Sequence, residues 1–300
     1  MDNTYLEGTG VAIVTPFHKQ KSIDFTALGN IVEHTINNNV NYLVIIGTTA
    51  ETPTLNAEEM FAIRDFMVNN VDGRVPIVLG FSGNNTMGIT DELFKVDLTG
   101  ISSILSCAPY YNRPTQRGIY EHFKNLVEAS NVPIILYNVP SRTSSNISVD
   151  TCLKLAYDFP NIIGIKEASG NISQCMDIIA NKPKDFYVIS GDDALTLPLM
   201  SFGASGVISV SANAFPKEIS QMVNFCLKGD FVSAKKIHYK MLPFSKAIFE
   251  EGNPSGIKAA LEIMGMCKNY LRLPLTQVDK SLYKKIETII NGIENENKTN

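Results

Sequence analysis

The chain predicts an α/β protein built as a closed (β/α)8 barrel with a C-terminal helical extension, and three observations carry that expectation. Eight short runs rich in β-branched and apolar residues follow one another at intervals of roughly 20 to 35 residues. Most of the gaps between them hold apolar residues at helical spacing. Residues of unusual chemistry are spread over the ends of strands 2, 4, 5, 6 and 7 and do not gather at one point. Near-continuous apolar strands joined by helices form a parallel sheet covered on its helical side, and eight such units fit in the roughly 200 to 250 residues a barrel needs. An open doubly wound sheet is the weaker alternative. It would show one switch point and a GxGxxG after the first strand, and this sequence has neither.

In order, the strands are expected at 11–17, 42–47, 76–81, 101–107, 133–138, 162–166, 187–191 and 206–210. Each is bounded by Gly, Pro, Asn or Asp, the residues that break a ladder or form turns. Helical faces lie between them, for example Phe25, Leu28, Ile31, Val32 and Ile36, or Tyr120, Phe123, Leu126 and Val127. After the eighth strand the helical period continues through Ile219, Met222, Val223 and Cys226, then Ala234, Ile237 and Met241, then Ile257, Ala260, Leu261 and Met264. The expected organisation is therefore a barrel over 1–225 and a helical segment over 226–300 packed on it. Residues 291–300 are polar and charge-rich, which predicts a frayed end.

Composition narrows the function. The chain has 300 residues, 44% hydrophobic and 19% charged, with a net charge of −4 and no Lys/Arg-rich block, so neither a nucleic acid nor an anionic membrane is the expected partner. The N-terminal residues lack the basic and apolar regions of a signal peptide, and no apolar run approaches the ~18 residues of a membrane span. A cytoplasmic protein acting on a small molecule is expected. Five cysteines form no CxxC pair, and His18, His34, His122 and His238 show no metal-ligand spacing. Asp192 and Asp193 stand at a strand-to-helix junction, where aspartate most often caps a helix. No catalytic metal is expected.

In a barrel of this kind chemistry sits where strands end. Strand 6 ends in Lys166, and an ammonium at the tip of a buried strand is costly unless it is paired or neutralised. A lysine in water is neutral in only about one molecule in 2,500 at pH 7, and desolvation favours the neutral nucleophile. The alternative is a structural lysine paired with Glu167, although alternation turns Glu167 the other way. The same alternation turns Gly164 and Ile162 inward with Lys166, with Gly164 leaving open space beneath the amine. Strand 5 ends in Tyr137, either a proton shuttle for that amine or a core tyrosine. Loop 2 offers Thr48 and Thr49 with a run of N–H groups, a cradle for a small carboxylate. Arg142 in loop 5 suits bidentate capture of a second carboxylate or is an ordinary surface arginine. Loop 4 displays Tyr110 and Tyr111 between two prolines, either to reach a neighbouring subunit or as a packed loop.

Six ordered motifs make these residues specific as a set: Gly47-Thr-Thr-Ala-Glu51, Pro109-Tyr-Tyr-Asn-Arg-Pro114, Tyr137-Asn-Val-Pro-Ser-Arg-Thr143, Gly164-Ile-Lys-Glu167, Ser190-Gly-Asp-Asp193 and Gly206-Val-Ile-Ser-Val210. With them the chain resembles the dihydrodipicolinate synthase family of pyruvate-dependent class I aldolase-like lyases, from about Gly8 to about Pro274. The resemblance implies a cofactor-free condensation of pyruvate with L-aspartate 4-semialdehyde on the route to lysine. Lys166 would form the Schiff base, with Tyr137, Thr48 and Tyr111 as proton relay and Tyr111 reaching into the neighbouring subunit. Thr49 would hold the pyruvate carboxylate and Arg142 that of the aldehyde, with the Gly191 and Ile208 main chain lining the pocket. A homotetramer, a dimer of dimers, is implied. The near alternative is a relative such as N-acetylneuraminate lyase or a keto-deoxy sugar acid aldolase, which Arg142 disfavours; a catalytically silent barrel would not keep the whole set. Two family glycines are replaced, by Ala50 and Ser144. At the family's lysine-inhibition site Asn84 and Tyr110 match, but a histidine and an acidic residue are replaced by Ala57 and Gly88. Weak or absent inhibition by lysine is therefore expected.

Overall fold

The computed structural model describes residues 3–299. Its strands and helices, in chain order, are β1 (Gly8–Ala12), α1 (Phe25–Ile36), β2 (Tyr42–Ile45), α2 (Ala57–Val71), β3 (Ile77–Gly80), α3 (Thr86–Leu93), β4 (Ser103–Cys107), α4 (Gln116–Ala129), β5 (Ile134–Asn138), a short α5 (Pro140–Thr143) and α6 (Val149–Asp158). They continue as β6 (Ile162–Glu167), α7 (Ile172–Asn181), β7 (Tyr187–Ser190), α8 (Thr196–Ser201), β8 (Gly206–Ser209), α9 (Pro216–Leu227), α10 (Phe231–Ala247), α11 (Ser255–Ile263) and α12 (Lys280–Thr299). The eight strands pair in chain order, all parallel, and β8 closes on β1. The expected barrel is thus the observed one.

Most strands start or stop one or two residues inside the expected ranges. Pro76 and Pro133 fall outside because they have no N–H for the ladder, yet their carbonyls still accept from Leu43 and Ile104 at 3.0 and 2.9 Å. The larger correction is β1. It was expected at 11–17 and lies at Gly8–Ala12, because closure is set by contacts that small residues permit. A Cβ on Gly10 would lie 2.2 Å from the Tyr42 ring, and one on Gly206 would lie 2.0 Å from the Gly8 carbonyl oxygen. Glycine reads as a weak strand former but here lets two strands and an inward aromatic ring meet.

A second correction concerns β6. The register against β5 shifts so that Ile134 faces Ile162 while Ile135 faces Gly164. The irregularity breaks period-two alternation. Ile163 therefore joins the barrel interior, with Val44, Val78, Leu105, Ile135, Ile189 and Ile208, and Ile162 packs in the outer layer under the helices. The space expected at Gly164 is also filled, since a Cβ there would sit 2.6 Å from the Tyr187 carbonyl oxygen.

The helices begin where side chains satisfy their first N–H groups: Asp24, Asn85, Thr115, Ser148 and Asn171 each accept from the residue three ahead, and Asn56 with Glu59 forms a reciprocal capping box on α2. The end expected to fray at 291–300 is helical as far as Thr299. Leu282, Ile286, Ile290 and Ile293 make one buried stripe at helical spacing, which docks α12 against the rest of the fold despite its charged outer face.

His122 on α4 is buried, bonded through Nδ1 to the Thr86 hydroxyl at 2.9 Å, while its Nε2 has no partner. Burial pushes its pKa down to about 4. The folded protein thus prefers neutral His122, while the unfolded chain takes up the proton near 6.5. Stability from this group is full above pH 6.5 and is lost as the pH falls toward 4, by roughly 3 kcal/mol at 1.36 kcal/mol per pH unit. In His122→Gln the stability difference from the unmodified protein should therefore change across this window in urea titrations; a constant difference from pH 7 to pH 4 would contradict it.

Candidate active site

The carboxyl ends of the strands surround a cavity of about 930 Å³ whose wall includes Thr48, Thr49, Tyr137, Arg142, Lys166 and Gly191. Lys166 is 6% exposed at the end of β6, and Tyr137 ends the adjacent run of β5, directly opposite it in register. The ammonium nitrogen lies 4.4 Å from the centre of the Tyr137 ring. No carboxylate of the described residues lies within 4.0 Å of it. Glu167, the partner a structural lysine would need, points elsewhere: its carboxylate accepts from Asn138 Nδ2 at 3.0 Å, Gln174 Nε2 at 2.9 Å and the Ser169 N–H at 2.7 Å. Glu167 and Asn138 each follow a cavity residue directly, so their bond fixes the ends of β5 and β6 relative to one another.

Gly191 explains how the lysine is held. A Cβ there would come within 3.1 Å of Lys166 Cε and 2.6 Å of Ala168 Cβ, so only glycine lets the lysine stem pass. Beyond it Asp192 caps the turn at Asp193–Leu195, accepting from Ala194 N–H. Asp193 is buried and binds loop 7 to loop 8, accepting from the Ser209 hydroxyl at 2.5 Å and from the Val210 and Ser211 N–H groups at 3.0 Å. Cys107 also stands on the cavity wall, paired in register with Tyr137. Burial pushes its thiol up, which keeps it protonated at neutral pH.

Thr48 and Thr49 lie in a tight helical turn, Thr48–Ala50, right after β2, and Thr49 is 2% exposed. Its hydroxyl accepts from Asn253 Nδ2 at 2.9 Å. Ala50 needs none of a glycine's freedom, because the left-handed residues of this loop are Ile46 and Glu51. Ser144 differs, holding φ of 57° on an exposed loop. Non-glycine residues in that region are strained by about 1 kcal/mol or more, so Ser144→Gly should raise stability by about 0.5–1 kcal/mol, read as a higher unfolding midpoint. A lower midpoint would show that the serine is unstrained.

Arg142, on α5, faces the cavity and is exposed. Tyr110 also lines the cavity. Ile208, expected to line the pocket, is instead buried in the barrel interior; Tyr111, expected to serve a neighbouring subunit, is 89% exposed with φ of 72°; and Asn84, expected at the lysine-inhibition site, has its side-chain amide 3.4 Å from the Tyr110 carbonyl. The sequence reading missed Asn253 and, behind it, Lys258 and Arg272, all contributed by the C-terminal segment. The one sequence signal for Lys258 was its place among the apolar residues of α11, Ile257, Ala259, Ala260 and Leu261, where it is fully buried.

The model of the dihydrodipicolinate synthetase family matches residues 5–293 of the chain. The 4-hydroxy-tetrahydrodipicolinate synthase of Phocaeicola vulgatus is 48% identical over 294 residues, covering 98% of this chain and 99% of its own. That of Flavobacterium psychrophilum is 51% identical, covering 93% and 96%. Among solved structures, dihydrodipicolinate synthase from Aquifex aeolicus superposes with a TM-score of 0.93 at 40% identity over 96% of this chain and 98% of that one.

Proposed function

The chain belongs to the dihydrodipicolinate synthetase family and is an enzyme of that family, and from that premise we propose that it condenses pyruvate with L-aspartate 4-semialdehyde through an imine on Lys166, the lyase step on the route to lysine. The observation that carries the reading is a buried amine with no carboxylate partner beside a phenol in a cavity of substrate size.

The pyruvate carboxylate rests on the Thr48–Thr49 turn and its keto carbon meets the Lys166 nitrogen. Attack gives a carbinolamine, and Tyr137, with Thr48 and Tyr111, returns a proton to the departing hydroxyl so that water leaves and the imine forms. Loss of a methyl proton converts the imine to an enamine, whose carbon attacks the aldehyde held through its carboxylate by Arg142. The amine of the second substrate then displaces Lys166, which closes the ring and frees the enzyme. The residues supply the chemistry without a cofactor. Gly191 lines the site beside the lysine stem.

The exposure of Tyr111 supports a homotetramer, a dimer of dimers, in which this residue completes a neighbour's relay. No helix of the described residues is long and apolar enough to cross a membrane, and the water-soluble substrates suit the cytoplasm. A coupled assay tests the reaction: turnover with pyruvate and aspartate semialdehyde should far exceed cleavage of sialic acid or a keto-deoxy sugar acid, and the reverse order would overturn the reading. Since Ala57 and Gly88 replace the histidine and acidic residue expected at an effector site, lysine at submillimolar concentration should leave turnover nearly unchanged. Strong inhibition in a steady-state assay would show that the effector's ammonium finds another carboxylate.

A further inference from the structure

The turn that carries Thr48 and Thr49 is anchored from the far end of the chain. Glu51 directly follows it, in the left-handed region at φ 58°, and its N–H donates to the Thr48 carbonyl at 3.2 Å. The Glu51 carboxylate and the Lys258 ammonium form an ion pair in which both side chains are wholly inaccessible to solvent. Lys258 also donates to the Tyr270 carbonyl at 2.8 Å and lies 4.2 Å over the Phe17 ring. The second carboxylate oxygen of Glu51 accepts the Arg272 N–H at 3.0 Å. The Arg272 guanidinium then donates to the Thr54 carbonyl at 2.9 Å and to Glu59, which clamps the loop on its other side. Thr49 itself is held by Asn253, five residues before Lys258.

A buried ion pair is weak as a device for stability, because apolar side chains of similar volume often serve as well. It is strong as a device for placement, since each charge has one low-energy position. Here that position determines where a left-handed residue, and with it the adjoining hydroxyls, must stand. We propose that Lys258 is a positioning residue for the substrate-carboxylate turn, acting through Glu51 to hold Thr48 and Thr49 where pyruvate binds. The proposal rests on the reading above, in which this turn receives the pyruvate carboxylate.

The test measures the pyruvate concentration that half-saturates the borohydride-trapped adduct on Lys166, together with the KM for aspartate semialdehyde and the thermal midpoint. The double variant Glu51→Gln/Lys258→Met removes both charges and leaves neither one stranded. We expect it to fold and to need about tenfold more pyruvate, with the aldehyde KM within about twofold. A half-saturation within about twofold of the unmodified protein, whatever the midpoint, overturns the proposal and leaves the pair a purely structural one. Should the double variant fail to fold, Lys258→Arg decides in the same way: it keeps the charge and moves its position, so a raised pyruvate requirement supports placement and an unchanged one refutes it. Absence of any adduct in the unmodified protein would instead sink the imine reading, and the proposal with it.

Discussion

Lys166→Ala should lower turnover by about a thousandfold or more and abolish the adduct that borohydride traps with pyruvate. The amine is the atom that bonds to substrate, and removing a covalent nucleophile costs far more than removing a contact. The other candidate nucleophiles on the cavity wall are placed differently: the Cys107 thiol is held protonated by burial, and Lys246 stands on the exposed part of the wall, contributed by α10 and not by a barrel strand. Stability should hardly fall, because the side chain has no ion pair to leave stranded and alanine removes a buried amine. Mass spectrometry after reduction reads the result directly. An adduct of unchanged yield in the alanine variant would place the imine on another residue.

Tyr137→Phe should reduce turnover by about 10²- to 10⁴-fold, the range for one positioned acid–base group. The ring remains to pack over the lysine at 4.4 Å, so the cavity and the fold are kept while the hydroxyl is lost. The informative readout is kinetic. The adduct should still form at high pyruvate but much more slowly, because carbinolamine dehydration lacks its proton donor, whereas the pyruvate concentration for half-saturation should change little. A variant that traps pyruvate at the normal rate would remove Tyr137 from that step.

Much of this arrangement was legible in the chain. Apolar runs alternating with helical periods gave the barrel, since each run must bury both faces and each helix one. The alternation rule also placed Lys166 at a loop end with Glu167 turned away, because a strand's last residues still obey the pleat. What escaped has a common physical origin. The true position of β1 depends on Gly10 clearing the Tyr42 ring and Gly206 clearing the Gly8 backbone, contacts between distant segments that local propensity cannot weigh. The shift between β5 and β6 moved Ile163 inward for the same reason. Asn253, Lys258 and Arg272 reach Thr49 and Glu51 from the opposite end of the sequence, so no spacing announces them. The docked end of α12 was hidden by its charges, although its four buried aliphatics are visible once a helix is assumed.

The pairing of Gly8 with Gly206 has a consequence for biogenesis. These partners are about 200 residues apart, and contacts of such sequence separation are slow to form. A nascent chain therefore emerges with its first strand lacking one neighbour until the eighth has left the ribosome, and until then the growing sheet presents two open rims, each a template for a stray strand. Crowded or rapid synthesis should accordingly favour aggregates that slower translation or chaperone capture suppresses.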